Sequence, residues 1–197
     1  MNKNIPWIPI HAKLWLDKVL KPDMNLYEFG SGTSTLYFAS KVKKIISIEH
    51  DKNWYNKIKD KLNQNQLNNC EYILIEPEDI TEKNSKQIDP KYTSDLKNYE
   101  TFQFRKYVES IDKYPDNYFD LIFIDGRVRI ACILNSIRKI KLGGYLVLDN
   151  SDEKKYIHSH QILNSYSRLD FFDIALVNPY LKTSKISFWK TSIWKIK

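Results

Sequence analysis

The sequence predicts an α/β fold: a doubly wound, seven-stranded, mostly parallel sheet with an antiparallel last strand. Three observations lead there. From Asn25 to Ile75, short apolar runs alternate with stretches of helical spacing, and a β-α-β-α-β order calls for parallel strands joined by right-handed crossovers. A turn with two glycines, Gly30-Ser31-Gly32, joins the first strand to its helix, as in α/β proteins that bind nucleotide-like ligands. The last two extended stretches flank Asn178-Pro179 and should pair as a hairpin.

The elements follow in order. Ile8 to Leu20 carries Ile10, Leu14, Val19 and Leu20 near helical spacing and is closed by Pro22, so residues 1–24 read as a helical lead-in. Asn25–Phe29 is the first strand, and a helix runs from Gly32 to about Val42. Ile45–Ile48 is the second strand, ending at Glu49. Lys52–Asn65 is a helix with Trp54, Ile58 and Leu62 on one face, and Tyr72–Ile75 is the third strand. Residues 76–101 are polar and aperiodic, the pattern of a lid-like loop. A helix is expected over Phe102–Ile111, then a turn at Tyr114–Asn117 and a fourth strand, Tyr118–Ile124. A helix over Arg129–Ile140 is stopped by Gly143-Gly144, Tyr145–Leu148 is the fifth strand, and a helix covers Glu153–Tyr166. The hairpin comprises Asp170–Val177 and Ile186–Ile196.

The totals bound the function. A chain of 197 residues, 42% hydrophobic and 28% charged, suits one globular domain over 1–197. It has no apolar run long enough to span a membrane and no leader of signal-peptide type, so a cytoplasmic location is expected. Cys70 and Cys132 have no CxxC or Cys/His company and read as buried thiols in a reducing compartment. The net charge of +7 comes from scattered lysines rather than an Arg-rich block, which disfavours a nucleic-acid partner and remains compatible with an acidic acceptor. A homo-oligomer is compatible with the sequence.

Ligands of an open parallel sheet bind outside the carboxyl ends of its strands. There the sequence places Glu28 to Thr35, Glu49-His50-Asp51, Glu76 onward, Asp125-Gly126-Arg127 and Asp149-Asn150. Carboxylates at a buried sheet edge cost desolvation unless they are used. Glu49 stands roughly twenty residues past the glycine turn, where an acid accepts from ribose hydroxyls. Thr35 replaces the third glycine of a dinucleotide fingerprint, which favours a nucleoside without pyrophosphate.

Glu28-Phe29-Gly30-Ser31-Gly32-Thr33-Ser34-Thr35, Glu49-His50-Asp51 with Trp54-Tyr55, Phe119 to Arg127, and Gly143-Gly144-Tyr145 before Leu148-Asp149-Asn150 together resemble a class I (Rossmann-like) S-adenosylmethionine-dependent methyltransferase. The resemblance spans essentially the whole chain. It implies S-adenosyl-L-methionine as cofactor, with Glu28, Gly30, Ser31, Gly32, Thr33, Ser34, Glu49, His50 and Asp125 around it and Glu78 beside the adenine. Asp125 with Asp149-Asn150 resembles the metal-dependent O-methyltransferases. That implies a divalent ion, Mg²⁺ or Mn²⁺, on Asp125, Asp149 and Asn150, lowering the pKa of a bound hydroxyl.

One departure is visible. Val128 stands where the catechol-type enzymes have a lysine base, and Arg127 and Arg129 are too basic to accept a proton. His158, His160, Asp152 and His50 are the other candidates, and His158 is taken with Asp125 and Asp149 as the catalytic group. Asn178-Pro179-Tyr180 resembles the Asn-Pro-Pro-Tyr motif of amino-methylating enzymes but lies in the wrong part of the chain. The expected activity is O-methylation of a sugar, glycan or other small diol assisted by a metal. The alternatives are a metal-independent N- or RNA methyltransferase and a non-catalytic Rossmann-like binding module.

Overall fold

The structure is a computed structural model that describes residues 5–81, 88–94, 98–175 and 187–197. Its seven-stranded sheet contains β1 (Asn25–Phe29), β2 (Lys44–Glu49), β3 (Cys70–Leu74), β6 (Phe119–Ile124), β7 (Ile140–Leu148), β8 (Ser167–Ala175) and β9 (Ser187–Lys195). The remaining two strands, β4 (Glu78–Asp79) and β5 (Phe102–Gln103), pair only with each other. The order across the sheet is β3-β2-β1-β6-β7-β9-β8. The first five are parallel, and β9 runs antiparallel to both β7 and β8. This is the architecture the sequence predicts.

Both faces are covered because neighbouring residues on a strand point to opposite sides. Leu26, Ile45, Leu121 and Val147 pack with Ala12 and Leu16 of α1 (Ile10–Val19), Leu36 and Phe38 of α2 (Thr33–Ala39), and Ile58 and Leu62 of α3 (Lys52–Gln64). Tyr27, Ile46, Ile122 and Leu146 pack on the other face. Their partners are Tyr107 and Val108 of α4 (Arg105–Glu109), Cys132 and Ile133 of α5 (Arg129–Ser136), and Leu163 just after α6 (Ile157–Ile162). Both cysteines are free thiols. No helix among the described residues is long and apolar enough to cross a membrane.

The chain order reverses between β1 and β6, and there the strand ends arrive level. Phe29 is in register with both Ile48 and Ile124. The ladder then runs on past the strands: Gly30 N–H donates to the Ile48 carbonyl (2.9 Å), Asp125 N–H to Phe29 (2.9 Å) and Asp149 N–H to Ile124 (3.1 Å). The glycine turn, Glu49, Asp125 and Asp149 are therefore side by side at one edge.

Several expected elements differ. The helix expected from Phe102 starts at Arg105, because Phe102–Gln103 is taken into β5, and it tightens into a 3-10 turn at Ser110–Lys113. Gly143-Gly144 does not stop a helix but lies inside β7. Phe119 pairs with Ile140 whereas Leu121 pairs with Tyr145, so the glycines form a bulge. A Cβ on Gly144 would stand 2.8 Å from the Asp120 carbonyl, which leaves glycine as the residue that fits. The helix expected over Glu153–Tyr166 is reduced to a 3-10 turn at Lys154–Tyr156 and α6, since Ser167 already belongs to β8. The Asn178-Pro179 turn lies outside the described residues.

Candidate active site

The glycine turn is tied down from three sides. Gly30 has φ +89°, which glycine adopts without a Cβ clash. It abuts Gly126 so closely that a Cβ on Gly30 would meet the Gly126 Cα at 2.5 Å. The two strand ends can approach only because both residues lack side chains. Gly32 N–H donates to Thr35 Oγ1 (3.0 Å), so the residue in the third-glycine position clasps the turn. The Trp54 indole N–H, on α3, donates to the Ser31 carbonyl (2.8 Å).

Glu49 and Glu28 have opposite electrostatics. Glu49 Oε2 accepts from Ser31 N–H (3.0 Å) and Ser31 Oγ (2.7 Å), and Oε1 accepts from the N–H groups of His50 (2.8 Å) and Asp51 (2.9 Å). Burial alone would raise its pKa, but these donors and the adjacent His50 outweigh it and hold the carboxylate below its ordinary value. His50 Nδ1 lies 2.9 Å from Glu49 Oε1 without hydrogen-bond alignment. Glu28 is fully buried and accepts from the hydroxyls of Ser34 and Thr35 (2.6 Å each) and Ser47. There burial wins over the three hydroxyls and pushes the carboxyl up to about 7. Glu28 braces the base of α2 and lines neither cavity described next.

Two cavities flank the turn. The first, about 450 Å³, is lined by Gly30, Ser31, Glu49, His50, Asp125 and Arg127, with Trp54, Lys57 and Tyr99 at its sides. The second, about 540 Å³, is lined by Gly32, Thr33, Ser34, Trp7, Ile8 and Phe123, with Lys61 at its margin. Ser31, Trp54 and Asp125 border both. The residues grouped in the sequence around one ligand are thus divided: Gly30, Glu49 and His50 face the first cavity, while Gly32, Thr33 and Ser34 face the second.

The expected metal ligands are occupied by a side chain. The Arg129 guanidinium lies between the β6 and β7 ends. Nη2 is 2.8 Å from Asp125 Oδ1 and donates to the Asp125 carbonyl (2.9 Å), and Nε donates to the Gly126 carbonyl (3.0 Å). Nη1 donates to the Asp149 carbonyl and to Asn150 Oδ1 (3.3 Å). Asp149 Oδ1 takes the Thr191 hydroxyl from β9. Burial first, then the Asp125 charge, push the Asp149 carboxyl upward; Asp125 is also pushed upward by burial but is opposed by Arg129 and Arg127. The Asp125 side chain keeps 34% exposure, and with the guanidinium against it we take it as the ionised member. This corrects the expected Mg²⁺ or Mn²⁺ site. A protein cation already uses the oxygens of Asp125 and Asn150, and the Asp149 carboxyl is turned to a hydroxyl, so the donor set does not fit a divalent ion. Among the described residues no group of three or more His, Cys, Asp or Glu is arranged for a metal.

Two other expected residues stand apart. His158 is exposed on α6, its Nδ1 3.1 Å from Gln161 Oε1, and lines neither cavity. That placement does not support it as the base. Glu78, in β4, pairs with Lys106 (2.6 Å) and is likewise absent from the cavity walls. The sequence reading assigned no site role to Trp54, Tyr99 or Arg129. Arg127 Nε donates to His50 Nε2 (3.4 Å), and its guanidinium lies 5.7 Å from the Tyr99 ring, closing the first cavity on that side. The only sequence signal for Arg129 was its position four residues after Asp125.

No family model matches the chain, and no curated protein matches it in sequence. Solved structures do resemble it. An rRNA methylase from Streptococcus thermophilus is 15% identical with a TM-score of 0.61, covering 98% of this chain and 99% of that one. A Streptococcus mutans protein assigned as a methyltransferase and solved with S-adenosylhomocysteine is 14% identical with a TM-score of 0.60, covering 98% and 100%. Precorrin-6y C5,15-methyltransferase from Geobacter metallireducens is 15% identical with a TM-score of 0.61, covering 99% and 93%. At this identity the likeness is one of fold: the chain has the α/β architecture of Rossmann-like methyltransferases.

Proposed function

We propose that the protein is an S-adenosylmethionine-dependent methyltransferase that acts on a hydroxyl of a small molecule or glycan without a metal. The observation that carries this reading is the meeting of two cavities at Ser31 and Asp125, over a glycine turn bordered by an anionic Glu49. The first cavity would hold the methyl donor and the second the acceptor. S-adenosylmethionine, when bound, supplies an electrophilic methyl on a sulfonium. The protein's part is alignment, exclusion of water and charge.

The residues fit that division. Gly30 and Gly126 border the first cavity, and without side chains they let the two strand ends meet there. Glu49, held ionised, would accept from ribose hydroxyls. Its oxygens are already engaged, but the Ser31 hydroxyl also lies 2.7 Å from the Tyr72 hydroxyl. It can turn to Tyr72 and yield its place on Oε2 to the ribose. Asp125, ionised and facing both cavities, is the group placed to take the acceptor proton. The acceptor cavity is largely apolar, with Trp7 6.0 Å from Trp189 edge-on, a surface on which a sugar or aromatic ring can stack. The expectation of a diol acceptor went with the metal and is given up with it.

A second reading has its own support. Lys57 and Lys61, on one face of α3 at i, i+4 spacing, border the two cavities and make no ion pair among the described residues. With the net charge of +7, and with a structural neighbour named as an rRNA methylase, an RNA acceptor enters as the competing reading. It requires binding that weakens steeply with salt.

Titration calorimetry with S-adenosylhomocysteine tests the core of the proposal. We expect a single site, with Glu49→Ala weakening it by about tenfold or more. Absence of heat and of any thermal shift in the wild type would overturn the reading in favour of a binding module for another ligand.

A further inference from the structure

We propose that Arg129 is a positioning residue: its guanidinium is the resident cation of the β6 and β7 ends, standing where a divalent ion would stand, and it aims Asp125 at the two cavities. The aiming of Asp125 at an acceptor rests on the methyltransferase reading; the assignment of the cation does not.

The donor count makes the case. A guanidinium has five N–H donors in a planar fork. Here five oxygen contacts surround it: the carbonyls of Asp125, Gly126 and Asp149, Asn150 Oδ1, and Asp125 Oδ1. The two strand ends are thus clamped by one side chain. Arg129 is 7% exposed. The Tyr156 ring lies 5.2 Å from the guanidinium carbon and covers it.

The backbone is bent to make this possible. Val128, immediately before α5, has φ +44°, a left-handed conformation that a β-branched residue rarely adopts. It returns the chain so that Arg129 points back under Asp125. Asn150 also has a positive φ, +47°, and turns its side-chain oxygen onto the same guanidinium. A lysine would supply one point charge and three donors, too few for this arrangement. Val128, Arg129 and Tyr156 also line part of a third cavity, of about 310 Å³.

The test uses the full chain as wild type, Arg129→Ala and Arg129→Lys. Free Mn²⁺ is followed by electron paramagnetic resonance, and S-adenosylhomocysteine binding by calorimetry. We expect the wild type to leave Mn²⁺ free, and Arg129→Ala to gain one site that the added change Asp125→Asn removes. Stoichiometric Mn²⁺ binding by the wild type, abolished by Asp125→Asn, would overturn the assignment, and this arm needs no variant of Arg129 to fold. A folded Arg129→Ala protein that binds no Mn²⁺ would also count against it. For positioning, we expect Arg129→Ala and Arg129→Lys to weaken S-adenosylhomocysteine by about tenfold, with millimolar ethylguanidinium restoring most of the affinity of the alanine variant only. Unchanged affinity in Arg129→Ala overturns the positioning role. A wild type that binds no S-adenosylhomocysteine sinks the methyltransferase reading instead, and the Mn²⁺ arm still decides the cation.

Discussion

Glu28 illustrates how a buried carboxyl can organise a glycine turn from within. Its two oxygens hold three hydroxyls that join β1, β2 and the first turn of α2, in a place closed to solvent. With the folded carboxyl at about 7 and an ordinary value of 4.5, the native state keeps a proton that the unfolded chain releases between those pH values. Stability from this group is therefore present below pH 4.5 and is lost as pH rises through 7, by up to about 3 kcal/mol. In urea unfolding at pH 5 and pH 8, the wild type should lose about that much more than Glu28→Gln. Parallel pH profiles for the two proteins would refute the assignment. Asp125, Asp149 and Asn150 make a different point at this scale. Their types and strand-end positions were legible in the sequence, but the side chain between them, Arg129, was not. Its role depends on a left-handed Val128 that no residue pattern announces.

Among the elements, α3 carries more of the site than any other helix. Asp51 caps it by accepting from Trp54 N–H (2.7 Å), and the same turn presents Trp54 to Ser31. Lys57 and Lys61 follow along the cavity side. Asp51→Ala should cost about 1 kcal/mol and lower Tm by roughly 3 °C, with Asp51→Asn close to wild type, in a thermal melt. If both variants lose the same amount, the cap is not what the side chain provides. The periodicity of Trp54, Ile58 and Leu62 made α3 legible from the sequence, and its boundaries agree to a residue. The stretch from Phe102 to Lys113 was less legible. Its apolar residues satisfy helical spacing, yet the pairing of Phe102–Gln103 with Glu78–Asp79, some twenty residues earlier, takes the first turn away. A contact distant in sequence outweighs a local pattern that is only marginally helical.

For the whole molecule, the last hairpin closes the site from behind. β9 enters the sheet between β7 and β8, which brings Thr191 under Asp149, 42 residues away in the chain. Thr191→Val keeps the shape and removes the hydroxyl, leaving a buried carboxyl short of a donor. We expect a loss of about 2 kcal/mol, seen as a Tm lower by ~4–8 °C, with the sheet intact by circular dichroism. An unchanged Tm would mean that Asp149 does not depend on the hairpin. The expectation that nucleic acid is disfavoured also belongs to this scale. It was drawn from lysines scattered in sequence, whereas folding places Lys57 and Lys61 along the two cavities.

The sequence by itself determined the sheet, the alternation that covers both its faces, and the row of Gly30, Glu49, Asp125 and Asp149 at one edge. These follow from period-two burial and from strand ends, which are local properties of the chain. Only the tertiary structure decided what those groups touch. It divided the glycine turn between two cavities, sealed Glu28 away, left His158 in solvent, and set a guanidinium where a metal was expected. Each outcome turns on which side chain from a distant segment fills a space a few ångströms wide, and residue spacing along the chain does not encode that.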